Sequence, residues 1–468
     1  MFQKVSVLTK KVNKLIDYVA KSVQLRYNII RKKENTAVRI ERNKYLNDLK
    51  IRMHNGLVKV ITGLRRSGKS YLMNEIFYDY LKDNEKVLES HIIRFAFDSA
   101  DDLALIDEDL IEIEKEKRKV DPKKFMAYVS EMVVDDDYYY LLLDEVQNLG
   151  SFESVLNGYL RKRNIDLYVT GSNSKFLSSD IITEFAGRGD EIHVFPLTFK
   201  EFRQAYVGSD ERAYEEYSLY GGLPLLCTMF SDEQKTKYLV TQTESTYLKD
   251  IIDRHDLRLD TNIGELLDVI SSGISSLTNP TKLEATFKSK KNASISRQTI
   301  VTYIKYFTES FLISKAVRYD VKGKNYIDTP FKLYFEDIGV RNARLGFRQV
   351  EPTHIMENII YNELRYRGFN VDVGVVESRE MEEDKVVRKK YEVDFVATLG
   401  SQKYYIQSAY DIPNEEKWAQ ETKGFSKIDD SFKKIILVRN QVINRYSESG
   451  YLMMGLIEFL LDENSLTR

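Results

Sequence analysis

The chain has 468 residues, 43% of them hydrophobic and 30% charged, with a formal net charge of −2, which excludes a disordered chain. Its length exceeds what a single hydrophobic core can hold, so we expect two to four domains. The single cysteine, Cys227, excludes an intramolecular disulfide and favours a reducing compartment.

No uninterrupted apolar run approaches the length of a membrane span. Lysines recur within the first 15 residues, where a secretory signal would have an apolar core. The sequence therefore predicts a cytoplasmic protein that does not use the membrane as a partner.

Residues 1–45 carry apolar side chains at three- and four-residue spacing, which predicts a basic N-terminal helical segment. Positive charge is concentrated here, because residues 1–50 contain 13 Lys or Arg against 4 Asp or Glu. Residues 276–348 are also basic, with 14 against 6. A basic block is usually a solvated face, and contact with nucleic acid is the alternative interpretation.

From residue 46 to 205 apolar runs alternate with helical patterns, which predicts a parallel sheet with helices on both faces. The predicted strands are 57–62, 91–98, 138–144, 165–170 and 191–195. The predicted helices are 71–81, 123–134, 152–163 and 174–185. The fold class expected for this part is α/β.

A glycine-rich turn connects the first strand to the first helix. Its residues, Gly63, Leu64, Arg65, Arg66, Ser67, Gly68, Lys69 and Ser70, match the P-loop pattern G-x-x-x-x-G-K-[ST]. The N–H groups of such a loop face a polyphosphate, and we assign the whole run, together with Tyr71, to nucleotide binding. Lys69 can reach the outer phosphates, and the Ser70 hydroxyl can hold Mg²⁺.

The second half of this site is predicted at the end of the third strand. The run 138–143 is continuously apolar, as a central buried strand requires, and it is followed by Asp144 and Glu145. We expect this strand to neighbour the P-loop strand, so that Asp144 holds the Mg²⁺ ion. Glu145 is then placed to orient or deprotonate the attacking water.

Two further groups are candidates for the phosphoryl chemistry. Ser172 and Asn173 follow the fourth strand, and either could sense the γ-phosphate, with Asn173 slightly favoured. Arg188 lies on the turn between Gly187 and Gly189 and could stabilise the transferring phosphoryl group, in cis or across a subunit boundary. A surface turn with a salt bridge is the alternative for Arg188.

Two later runs complete the pattern, namely Pro196-Leu197-Thr198-Phe199-Lys200-Glu201-Phe202 and Tyr220-Gly221-Gly222-Leu223-Pro224. Taken with the P-loop and the acids Asp144 and Glu145, these runs make the chain resemble the prokaryotic AAA-type ATPases known as ATP-binding proteins. The resemblance covers the chain from about residue 40 onward. The resemblance implies a P-loop NTPase core that binds and hydrolyses ATP. It also implies a helical lid, here 206–275, and a C-terminal domain resembling restriction endonucleases.

Residues 276–350 have the pattern of a winged-helix domain. A helix opening at Ser296 would enter a DNA groove, with Arg297, Gln298 and Thr302 as possible contacts. Lys322 and Lys324 on the wing would touch phosphates. A structural joint or a protein contact is the alternative use of such a domain.

Residues 351–468 form the nuclease-like domain expected from the resemblance. Glu357 and the aspartate of the run Glu392-Val393-Asp394-Phe395 fall where that fold places metal-binding acids. At the remaining two positions stand Gln407 and Ala409, so a carboxylate and a lysine are missing. We therefore expect a retained fold without nuclease activity.

The sequence as a whole predicts a Mg²⁺-dependent ATPase that couples nucleotide state to a macromolecular partner. DNA is one possible partner, through the winged helix and the basic N-terminal segment. The alternatives are a slow nucleotide-gated switch or scaffold that binds proteins only, and, third, a DNA nuclease. An oligomer is compatible with every one of these hypotheses.

Overall fold

The computed structural model describes residues 39–171, 187–255, 257, 261–291, 295–382, 385–440 and 444–467. The helix predicted at 174–185 and most of the basic segment 1–45 lie outside these residues. Within the described residues, no helix combines the length and the apolar character that crossing a bilayer requires.

The first sheet has five parallel strands: β1 Val58–Thr62, β2 Ile92–Ala96, β3 Tyr139–Asp144, β4 Ile165–Thr170 and β5 Gly189–His193. All five predicted strands are present, the fifth displaced by two residues toward the amino terminus. Their order is β2-β3-β4-β1-β5. The expectation that β3 neighbours β1 is therefore wrong, because β4 lies between them.

The helices of this part are α1 Asn43–Ile51, α2 (Lys69–Tyr71, a π-helical stretch Leu72–Phe77, then Tyr78–Asp83), α3 Ala100–Ala104, α4 Leu110–Glu116, α5 Pro122–Met132, α6 Phe152–Tyr159 and α7 Phe199–Ala205. Alternate residues of β3 enter different cores. Leu141 and Leu143 join the cluster on one face of the sheet, and Tyr140 and Leu142 join the cluster on the other. Two-sided burial is the reason that this strand is apolar throughout.

A helical segment follows the core: α8 Asp210–Tyr220, a 3₁₀ turn Pro224–Thr228, α9 (Asp232–Gln242, a π-helical stretch Thr243–Leu248, then Lys249–Arg254) and α10 Thr261–Ser272. Next come α11 Pro280–Lys291, α12 Arg297–Glu309, β6 Ile313–Asp320, β7 Asn325–Phe335 and α13 Ile338–Arg344. β6 and β7 form an antiparallel hairpin, and Thr278 bridges to Phe331 on it.

The C-terminal part contains α14 Pro352–Tyr366, β8 Asn370–Glu382, β9 Lys385–Leu399, β10 Gln402–Ala409, α15 Glu415–Thr422, β11 Lys433–Val438, β12 Arg445–Tyr446, β13 Leu452–Gly455 and α16 Leu456–Leu461. Its sheet is not separate from the β6–β7 hairpin, because β6 pairs in parallel with β8. The result is one eight-stranded sheet in the order β12-β13-β11-β10-β9-β8-β6-β7.

A buried lysine lies at the centre of the nuclease-like acids. Lys332, on β7, is 4% exposed, and its Nζ lies 2.9 Å from Glu357, 2.7 Å from Glu392 and 3.4 Å from Asp394. Its ammonium group occupies the place where these carboxylates would converge on a metal ion. The Gln407 side chain is engaged too, accepting from the Asp394 N–H at 3.3 Å. A buried ammonium group among these carboxylates does not fit a catalytic Mg²⁺ ion, and the absence of nuclease activity stays a prediction.

The residues that follow β7 connect the β6–β7 hairpin to the end of α8. Asp337 accepts hydrogen bonds from the N–H groups of Val340 at 3.0 Å, capping α13, and of Gly222 at 2.7 Å. Burial raises the pKa of Asp337 to about 6, although these backbone donors oppose the shift. Behind it, a Cβ atom at Gly339 would lie 1.8 Å from the Tyr220 carbonyl oxygen. Glycine is therefore required where α13 contacts the end of α8.

Gly339→Ala tests this contact, because the new methyl group would meet backbone that cannot move aside. We expect the free energy of unfolding to fall by about 3 kcal/mol. The control is Gly158→Ala, at an exposed position of α6 where a Cβ meets no neighbouring atom within 4 Å. There the helical preference of alanine should add about 0.5–1 kcal/mol. Equal denaturation midpoints for the two variants would contradict the contact.

Lys332→Met should lower the free energy of unfolding at pH 8 by about 3–5 kcal/mol, because it leaves buried carboxylates without their counter-charge. The loss should be smaller at pH 5. Burial raises the pKa of Glu357 from 4.5 to about 7. Between pH 8 and pH 5 the folded state therefore takes up a proton on Glu357 that the unfolded chain does not, and a neutral carboxyl group needs no counter-charge.

Chemical denaturation at both pH values provides the measurement. Lys324→Met, at an exposed position of the same hairpin, is the control and should change stability little at either pH. An equal loss for Lys332→Met at pH 5 and pH 8 would show that the carboxylates are not what the ammonium group balances.

Candidate nucleotide-binding site

The glycine turn after β1 has a backbone that few residues can adopt. Gly63 has φ +133°, and a Cβ atom there would lie 2.2 Å from the carbonyl oxygen of Val194. Gly68 has φ +97°, and Arg66 also has a positive φ, of +68°. The turn delivers the chain directly into α2, so that the loop N–H groups and the helix N-terminus lie at the same edge of the sheet.

Lys69 opens α2 and folds back over the loop. Its Nζ donates to the carbonyl oxygens of Gly63 at 3.0 Å and Leu64 at 3.1 Å, and the residue is only 5% exposed. Burial lowers the pKa of its ammonium group, and the nearby Glu145 and Asp144 carboxylates oppose that shift. The ammonium group thus lies between the loop and the predicted acids.

The back of the loop is held by Arg42, which lies just before α1. Its guanidinium group donates to the carbonyl oxygens of Ser67 at 2.8 Å and Phe195 at 2.7 Å. It also binds the carboxylate of Glu201 on α7, with both contacts at 3.2 Å. Sequence reasoning missed this residue, since nothing in the motif marks a distant arginine.

The predicted metal ligands meet at the carboxyl edge of the sheet. Ser70 on α2 is exposed, and its hydroxyl is close enough to Asp144 to act on the pKa of that carboxyl group. Asp144 Oδ2 also lies 3.4 Å from the Asn74 amide nitrogen. Burial raises the pKa of Asp144, while hydrogen bonds from Thr170 and Ser70 oppose the shift. The Ser70 hydroxyl and the Asp144 carboxylate are therefore neighbours, although β4 separates β1 from β3 in the sheet.

Thr170, the last residue of β4, connects the two acids. Its hydroxyl donates to Asp144 and accepts the N–H of Glu145 at 3.1 Å. Glu145 itself is half-buried, has φ +49° and accepts a hydrogen bond from the Gln147 amide. Thr170 therefore fixes the backbone from which the Glu145 side chain projects. Its position at the end of a predicted strand was the available sequence signal, and it was overlooked.

A third carboxylate completes the edge. Asp98 follows β2, and loss of solvent, with repulsion from Glu145 and Asp144, raises the pKa of its side chain. Asp98, Asp144 and Glu145 thus interact with one another as an acidic edge, and Asp144 and Glu145 also interact with Lys69. No motif in the sequence marks Asp98 as part of this site.

The residues present fit a magnesium-bound nucleotide. Ser67 Oγ is buried and has no hydrogen-bond partner among the described residues, as expected of a group that would bind a phosphate oxygen. Mg²⁺ typically takes one or two protein oxygens and completes its shell with water and phosphate oxygens, and Ser70 and Asp144 supply such a pair. The glycine cradle and Lys69 supply the positive surroundings that a polyphosphate requires.

The remaining predicted residues are dispersed. Tyr71 is 43% exposed on the first turn of α2, and Arg65 and Arg66 are exposed on the loop. Asn173 and Ser172 lie outside the described residues.

Arg188 is exposed just before β5, and its carbonyl accepts the N–H of Val58, the first residue of β1. It therefore lies at the opposite edge of the sheet, about 13 Å or more from the loop, and not beside the acids.

A family model described as an AAA domain matches residues 55–203, and a domain of unknown function matches residues 211–351. Among curated proteins, an uncharacterized protein of Haemophilus influenzae is 31% identical over 429 residues, covering 90% of this chain and 98% of that protein. The uncharacterized protein MJ1544 of Methanocaldococcus jannaschii is 27% identical over 421 residues, covering 86% and 85%.

Two solved structures are similar at lower levels. The Walker-type ATPase PABY2304 of Pyrococcus abyssi is 14% identical, with a TM-score of 0.43, covering 66% of this chain and 96% of that one. The Aeropyrum pernix ORC1 protein in complex with DNA is 12% identical, with a TM-score of 0.31 and coverage of 66% and 92%. Scores this low say nothing about function. The match that spans almost the entire length of the Haemophilus influenzae protein, with the AAA domain, shows that this chain belongs to the same family of AAA-type ATP-binding proteins.

Proposed function

We propose that the protein is a Mg²⁺-dependent ATPase that couples its nucleotide state to a macromolecular partner. The observation that carries the proposal is the meeting of Ser70 and Asp144 beside Lys69, with Glu145 oriented by Thr170. In this proposal the loop and Lys69 bind the phosphates, and Ser70 and Asp144 hold Mg²⁺, which would offset negative charge on the phosphate oxygens. Glu145 orients the attacking water and accepts its proton.

Coupling is supported by contacts between the end of β7 and the residues around the loop. Glu336, directly after β7, lies 3.1 Å from His193 Nε2, and His193 Nδ1 lies 3.2 Å from the hydroxyl of Thr62. Thr62 immediately precedes the glycine turn. A shift of the loop on binding ATP would therefore be felt by the hairpin, and through the shared sheet by the C-terminal domain.

DNA is the partner that we propose first. Arg297 and Gln298 are exposed at the start of α12, and Lys322 and Lys324 are exposed at the turn of the hairpin. These side chains are suited to phosphate and base contacts. The alternative is a switch or scaffold for protein partners. Arg188 could serve phosphate chemistry only in a neighbouring copy of the chain, which would require an oligomer.

ATP turnover tests the catalytic assignment. Lys69→Ala should abolish both ATP binding and hydrolysis, because the phosphates lose their principal cation. Glu145→Gln should retain binding but lower turnover by about 100-fold or more, since the amide cannot accept the proton. Glu131→Gln, at an exposed position of α5, is the matched control and should hydrolyse ATP at the wild-type rate. Equal rates in all variants would refute the proposal.

Binding of a fluorescent DNA duplex, measured by anisotropy between about 50 and 200 mM salt, tests the partner. Replacing Arg297 and Lys324 together by Ala should weaken binding and reduce the salt slope by about 2, one unit for each lost phosphate contact. The control replaces the exposed Lys123 and Arg161 of the ATPase core by Ala and should leave the slope unchanged. Absence of binding by the wild type at low salt would favour the protein-partner alternative.

A further inference from the structure

Arg65, the third residue of the glycine turn, is attached to the helical segment at two points. Its guanidinium Nη1 donates to Asp250 Oδ2 at 2.6 Å, and its carbonyl oxygen accepts the hydroxyl of Tyr247 at 3.1 Å. Both partners belong to α9, and Tyr247 is buried there. The helical segment thus contacts the nucleotide loop through the side chain and the backbone of Arg65, and the neighbouring Arg66 guanidinium lies 5.9 Å from the Tyr238 ring on the same helix.

The Arg65 guanidinium lies among the groups that would surround the outer phosphate. Burial acts to lower the pKa of Arg65, but the hydrogen bond and attraction to Asp250, with weaker attraction to Glu145 and Asp98, together raise it. The positive charge of Arg65 acts to lower the pKa of Asp98, against the net rise of that pKa. It also contributes to the lowered pKa of Lys69. The Arg65 guanidinium is therefore close enough to Glu145 and Asp98 to interact with them electrostatically, whereas Arg188 lies at the opposite edge of the sheet.

The ion pair that holds Arg65 is weak enough to be exchanged. The two side chains are 47% and 32% exposed, and an exposed pair of this kind contributes about fivefold or less to an equilibrium constant. A terminal phosphate offers two charges and several acceptor oxygens, and a guanidinium group binds it with two parallel hydrogen bonds. Arg65 should therefore exchange Asp250 for the phosphate when ATP enters.

We propose that Arg65 is a catalytic residue that contacts the γ-phosphate from within its own chain, and that Asp250 holds it when no triphosphate is bound. This inference rests on the ATPase function proposed above. As the water oxygen bonds to the γ-phosphorus, the bond to the ADP oxygen breaks and the water proton passes to Glu145. Arg65 offsets the negative charge on the equatorial phosphate oxygens. ADP lacks the phosphate that competes for Arg65, so only ATP breaks the ion pair between Arg65 and Asp250.

Full-length variants test the assignment. Arg65→Ala should lower ATP turnover by about 1,000-fold, the scale of removing an arginine from phosphoryl transfer, with ADP affinity within about twofold of wild type. Arg65→Lys keeps the charge but not the planar fork and should recover only part of the rate. Unchanged thermal denaturation would establish that each variant is folded, and wild-type turnover in Arg65→Ala would overturn the proposal.

Asp250→Asn tests the restraint, with ATP and ADP affinities measured in a Glu145→Gln background so that ATP is not consumed. Freeing Arg65 should tighten ATP binding by about 2- to 5-fold and leave ADP binding unchanged. The same change should have no effect when Arg65→Ala is also present. Asp253→Asn, an exposed carboxylate on the same helix, is the matched control and should alter neither affinity.

Two patterns would overturn the inference. One is an unchanged ATP affinity in Asp250→Asn, and the other is an equal effect with and without Arg65. Lys69→Ala separates this failure from failure of the proposed function. If Lys69→Ala loses ATP while Asp250→Asn is silent, only the role of Arg65 is wrong. If Lys69→Ala binds and hydrolyses ATP normally, the ATPase assignment fails as well.

Discussion

The nucleotide loop depends on one buried guanidinium group. Arg42 is 2% exposed and donates hydrogen bonds to the carbonyl oxygens of Ser67 and Phe195 and to the carboxylate of Glu201. Burial disfavours its charged form, but the attraction of Glu201 outweighs that cost and raises the pKa of Arg42. Removing one partner of such a pair costs about 3–5 kcal/mol, so the geometry of the loop is set by a charge lying behind it.

The same carboxylate also organises the chain after β5. Glu201 accepts the N–H of Thr198 at 3.0 Å, while the Thr198 hydroxyl accepts the N–H of Glu201, which forms a capping box at the start of α7. One acid therefore begins a helix and supports the arginine under the loop. This gives a physical reason for the run 196–202 to accompany the P-loop in the sequence.

The sequence predicted the local elements well and their long-range arrangement poorly. The P-loop pattern and the acid after an apolar strand were sufficient to bring together Ser70 and Asp144. The same patterns carry no information on strand order, so the insertion of β4 and the bridging role of Thr170 were missed. Lys332 was missed because its partners lie 25 to 62 positions away in the chain.

The shared eight-stranded sheet has a consequence for dissecting this protein. A fragment ending near residue 350 would retain β6 but lose β8, with which β6 pairs from Arg318 to Asp320. The exposed N–H and C=O groups of that edge would be free to recruit another chain. Isolating either half invites aggregation, so a biochemist who seeks a minimal soluble unit should keep the hairpin and the C-terminal strands in one polypeptide.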